Sequence, residues 1–229
     1  MIEVYINRGM LSADGFADRH PGLSSLSING YPVITIFWNI FLIFIPFFLY
    51  WLLLKYWRKT KFKRLKDKAL ASLLGFLWLM FIPNAAYVIT DLRHISSYCP
   101  LASRYLVCPE NAWMIIFFFI YASLGFIGFV VLLKKARSLI SEIINLNAAA
   151  IFIWAVIPLI SLGVLLGLVN RFNSWEIFSQ PWLILNSALS YFTNSVLFLD
   201  WLAFTVGFYI LYYGGSYLFK DRLECFKKK

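Results

Sequence analysis

Residues 113–133 read WMIIFFFIYASLGFIGFVVLL, twenty-one residues without a charge, closed by Lys134 and Lys135. At about 1.5 Å of rise per residue, a helix of this length crosses the roughly 30 Å of a bilayer's hydrocarbon layer. Uncharged runs recur at 33–54, 69–90 and 146–169, with a slightly shorter one at 201–219. The chain as a whole agrees: 61% of its residues are hydrophobic and 20% aromatic, with a mean hydropathy of +0.74. Soluble domains sit at roughly 45 to 50% apolar residues. Lipid offers no partner for a bare backbone amide, and the runs are far longer than tilted barrel strands, so they must be helices. The expected fold is all-α: a polytopic integral membrane bundle of about five transmembrane helices plus an outer interfacial or re-entrant helix.

Charge gives the orientation. Residues 55–68, KYWRKTKFKRLKDK, hold eight Lys or Arg against one acid; Lys134, Lys135 and Arg137 follow the third run, and five basic residues lie in 220–229. These three segments share one side if the chain crosses five times. That side then holds 16 of the 21 basic residues, which marks it as cytoplasmic. The expected location is the bacterial plasma (inner) membrane, with the N-terminus outside and the C-terminus in the cytoplasm. Residues 1–32 form a polar extracytoplasmic leader without a cleavable signal pattern, 33–219 the transmembrane domain and 220–229 a basic cytoplasmic tail. Basic residues placed against helix ends point to anionic lipid and away from nucleic acid.

Residues 182–199 are long enough to cross, yet a sixth crossing would leave only Asp200 between two antiparallel helices and put the final KKK outside. Asn186, Ser190, Thr193 and Asn194 share one helical face, so an amphipathic helix in the outer interface is expected, with Pro181 in its first turn. Pro83 and Pro158 lie inside crossings, where they free the carbonyls of Leu79 and Trp154 and call for a donor from elsewhere.

The second run carries Asn84, Tyr87, Asp91 and His94 at helical spacing, one polar stripe ending at the outer face. The fourth run ends on the same side, directly before Arg171, Asn173, Ser174 and Glu176 in NRFNSWE. An ionisable group near lipid needs a partner or water, so an Asp91–Arg171 pair and an outward polar site are expected. Plainer roles stand beside this one. Asn173 and Glu176 have the spacing of a capping box, Asp91 could be solvated at a helix end, and Tyr87 and Trp175 could be interface aromatics.

The run IPNAAYVITDLRH with the later GLVNRFNSWE resembles the bacterial and archaeal membrane family known as domain of unknown function 1361. The resemblance implies a multi-pass membrane protein with no assigned reaction. It also implies an acidic residue near the start of the following helix, close to a Trp, and here the chain departs: in ENAWMII Glu110 precedes Trp113, and nothing acidic comes just after it.

Metal chemistry finds little support, since His20 and His94 are the only histidines and no CxxC or HExxH spacing occurs. No phosphate-binding loop or dinucleotide fingerprint is present, so no cofactor is expected. Acid–base chemistry by His94, oriented by Asp91, with Arg171 holding a phosphate or carboxylate, is the economical enzymatic idea. Cys99 and Cys108 would close a short outer loop if oxidised. Two functions therefore stand open, with enzymatic activity undecided. One is binding or processing of an anionic or lipid-linked ligand at the outer face. The other is a non-catalytic accessory role, in which aromatic faces such as 115–121 pack on partner membrane proteins. A transporter is weaker, because inverted repeats and charge deep in the membrane are missing.

Overall fold

The computed structural model describes residues 27–28, 31–92 and 112–219. His94, Cys99, Cys108, Glu110, most of the leader and the basic tail lie outside the described residues. Five helices are long and apolar enough to cross a membrane, and the architecture is an all-α bundle. A two-residue antiparallel ladder, β1 (Ser27–Ile28) with β2 (Tyr31–Pro32), precedes it.

Helix α1 (Val33–Thr60) extends beyond the uncharged run into the basic stretch, so the expected loop 55–68 shrinks to a tight turn. Lys61 and Phe62 take left-handed backbone angles there, with φ of 49° and 50°. The turn is held by the Phe62 amide donating to Thr60 Oγ1 and by the Phe62 ring against Trp57. It is closed from both sides by Asp67, which accepts from the Tyr56 hydroxyl at 2.7 Å and from the Arg64 amide at 3.1 Å. Glu142, near the end of α4 (Trp113–Ile143), accepts from the Trp57 indole and pairs with Lys61 at 3.6 Å. The α1–α2 turn and the end of α4 therefore share one basic end of the bundle.

The second crossing is broken, as Pro83 requires. Helix α2 (Leu65–Phe81) stops, Ile82 bridges, and α3 (Pro83–Thr90) restarts with Pro83 in its first turn. This short α3 packs against α1, α4 and α5 (Leu146–Leu168) and buries Ala85, Ala86 and Val88 completely. In lipid the apolar side chains gain little by meeting one another, so the seam depends on close van der Waals fit. Two glycines provide it. A Cβ at Gly125 of α4 would lie 2.7 Å from the Ala85 carbonyl oxygen, and one at Gly163 of α5 would lie 2.7 Å from the Pro83 ring.

Pro158 leaves α5 continuous, and the carbonyl it frees on Trp154 accepts the Tyr209 hydroxyl at 2.7 Å. Beyond α5 come a single turn, α6 (Glu176–Ser179), then α7 (Pro181–Thr193) and α8 (Ser195–Leu218). The helix expected over 182–199 ends earlier. Asn194 breaks it and caps α8, its side chain accepting from the Val196 amide at 2.9 Å, so residues 195–200 join the last crossing. Helix α7 turns Tyr191 inward onto Leu165 and Leu166 and leaves Trp182, Leu185, Leu189 and Phe192 exposed, as an interfacial helix should. The outer face of α1 exposes Phe37, Phe41, Phe44, Phe48 and Trp51, the surface lipid would cover.

Candidate functional site

The end opposite the basic turn is built around the C-terminus of α3. The three described residues of the stripe are all at least partly covered, and they divide among different neighbours. Asn84 donates to the Phe81 carbonyl at 2.9 Å and to Ser174 Oγ at 3.0 Å. Its amide thereby caps the interrupted turn at Phe81 and ties α3 to the segment after α5. The Tyr87 ring lies against Gly167, where a Cβ would stand 3.6 Å from it. Asp91 is 1% exposed, and its carboxylate accepts from the Asn39 amide of α1 at 3.2 Å. The buried Tyr121 hydroxyl of α4 lies within electrostatic reach of Asp91, Asn39 and Tyr87.

Residues 169–175 form the roof. Arg171 is exposed and holds a left-handed φ of 61°, a conformation that costs a non-glycine residue on the order of 1 kcal/mol. The Phe172 amide reaches back to the Leu166 carbonyl at 3.1 Å, which fixes the reversal. Asn173 and Glu176 close on one another, but not as the capping box expected: the helix starts at Glu176 with Trp175 as its N-cap, and it is the Asn173 main-chain carbonyl, not its side chain, that accepts. The Asn173 amide donates to Glu176 Oε2 at 2.7 Å, and the Glu176 amide donates to the Asn173 carbonyl at 3.0 Å. The buried Glu176 carboxylate thus does structural work for the turn. Trp175 then meets Trp38 of α1 edge-on at 6.0 Å, so the roof spans from α5 to α1 and meets the first turn of α3 through Ser174 and Asn84. Between described residues the ion pair found is Lys61–Glu142, at the other end of the bundle.

Beneath the roof lies a groove of about 200 Å³. Leu79, Pro83, Leu159 and Leu166 are among its apolar lining residues, and Asn173 and Ser174 are the polar ones. Ser174 accepts from Asn84, which leaves its own hydroxyl proton available to a bound acceptor. Two contributors escaped the sequence: Asn39 and Tyr121. Asn39 carried a weak signal as the one amide in an uncharged run of membrane-spanning length. No group of three or more His, Cys, Asp or Glu side chains converges among the described residues.

The stripe at 84–91 and the roof at 169–175 fall within residues 38–212, the part of the chain that matches the family described as Protein of unknown function (DUF1361). The chain belongs to the DUF1361 family. Neither the curated proteins nor the solved structures yield a match to it. For this DUF1361 protein, function must therefore be argued from the site.

Proposed function

We propose that this protein binds an anionic, lipid-linked molecule at the end of the bundle away from the basic turn. The apolar part lies in the groove, and the charged group lies among Ser174, Asn173 and Arg171. His94 and Asp91, at the end of the stripe, are the candidates for acid–base work on that group, and an Asp91–Arg171 interaction belongs to the same proposal. The basic asymmetry supports the bacterial plasma membrane, with this face outside and the C-terminus in the cytoplasm. The carrying observation is a groove lined by leucines together with Asn173 and Ser174, close in the chain to an arginine held in a strained backbone. An accessory subunit of a membrane complex is the competing role, and it needs no ligand at this groove.

The test compares a polyisoprenyl phosphate with the matching polyisoprenol as stabilisers of the purified protein. The phosphate should raise Tm clearly more than the alcohol; a ligand at a hundred times its Kd adds about 2.7 kcal/mol. Arg171→Gly, which suits the left-handed backbone, should keep the fold and abolish the difference. Equal shifts from both compounds, or none from either, would favour the accessory role.

A further inference from the structure

A second groove, of about 370 Å³, lies nearer the basic end among α1, α2, α4 and α5. Leu53, Trp78, Leu139, Phe152 and Val156 give it an apolar wall, and Tyr50 joins them. All of these residues belong to spanning helices, so the surrounding solvent is the bilayer. Helix α2 is loosely seated there, since a Cβ at Gly75 would meet nothing within 4 Å. The volume falls within the range of small-molecule sites, roughly 300 to 1,000 Å³.

Charge indicates what fills it. The Lys135 ammonium lies 5.8 Å from the centre of the Tyr50 ring, and the Arg58 guanidinium is close enough to act on the Tyr50 hydroxyl. Both cations are exposed. Glu142 also acts on Tyr50, but its carboxylate is already engaged by Lys61 and the Trp57 indole. An apolar slot with a tyrosine and two cations at its rim has the chemistry of a lipid tail below a phosphate. We infer that this groove holds an acyl chain of an anionic phospholipid, with its headgroup at Arg58 and Lys135. The groove shares Leu79 and Leu159 with the one under the roof, but its rim cations lie at the basic end, and lipid binding there does not depend on the function proposed above.

The experiment uses the full chain in vesicles of mixed phosphatidylcholine and phosphatidylglycerol, with a spin label on the acyl chain of one lipid or the other. The motionally restricted spectrum should favour phosphatidylglycerol by on the order of tenfold, since each cation attracts anionic lipid separately. Arg58→Gln with Lys135→Gln should bring the preference close to unity. Gly75→Leu, which fills the slot, should remove the selective fraction. Lys63→Gln with Lys66→Gln, exposed basic residues elsewhere in the turn region, should change little. Should Gly75→Leu fail to fold, the paired charge variants still decide. Absence of any preference in the unaltered protein overturns the inference, as it would if a second copy or another protein filled the groove. So does an equal loss of preference in the Lys63/Lys66 control.

Discussion

Asp91 bears two penalties at once. Its carboxylate is buried, and it caps the C-terminal end of α3, where the helix dipole is negative. The Asn39 amide offsets part of both. Asn39→Leu should therefore destabilise the protein by about 1.5–3 kcal/mol, the worth of a hydrogen bond to a charged group, measured by reversible unfolding in mixed micelles. Adding Asp91→Leu should recover part of that loss, because both partners are then apolar; a purely additive pair would show that the contact carries no coupling. The proposed Asp91–Arg171 interaction, which unlike the Asn39 contact is not among the contacts described above, is tested by the same kind of cycle. Asp91→Asn with Arg171→Gln should be less harmful than the summed single changes, with about 0.5–3 kcal/mol of coupling, and simple additivity would separate Asp91 from Arg171. The stripe itself was readable because Asn, Tyr and Asp at helical spacing are conspicuous in an uncharged run. Asn39 was not, because a single amide does not name the distant helix it will meet. Glu176 had two readings in the sequence, and the geometry shows its carboxylate on the Asn173 amide.

At the scale of elements, the seam around α3 makes sharp distinctions among glycines. Gly125→Ala and Gly163→Ala force a Cβ to 2.7 Å from a neighbour and should destabilise, whereas Gly75→Ala meets open space and should be neutral or stabilising by up to about 1 kcal/mol. Thermal unfolding of the three variants side by side checks the order. The proline in α5 gives a second comparison. Tyr209→Phe should cost about 1 kcal/mol by leaving the Trp154 carbonyl unmet, and should cost less in a Pro158→Ala background, where residue 158 regains its own amide. An equal cost in both backgrounds would mean that the hydroxyl does not serve that carbonyl. The helices were legible from their uncharged lengths and the break at Pro83 from the residue itself. The ends were harder. Hydropathy does not see that Asn194 caps α8, or that Thr60 and Asp67 fold a basic stretch into a turn, because those decisions rest on side-chain hydrogen bonds.

At the scale of the whole molecule, the two ends differ in kind. The basic end is tied by Tyr56–Asp67, Lys61–Glu142 and the Lys134 ammonium, which donates to the Ser216 and Phe219 carbonyls at the end of α8. Cations at a helix C-terminus stabilise it, so Lys134→Met should lower stability by about 0.3–1 kcal/mol. The other end carries the groove, the roof and the buried Asp91. An outward polar site requires that this second end face away from the cytoplasm. The direct measurement is labelling of single cysteines at Arg171 and at Lys61, in a chain otherwise free of cysteine, by an impermeant thiol reagent on sealed cells. Arg171→Cys should label in intact cells and Lys61→Cys only after permeabilisation. Labelling of Lys61→Cys in intact cells, with Arg171→Cys protected, would reverse the bundle and contradict an outward-facing site.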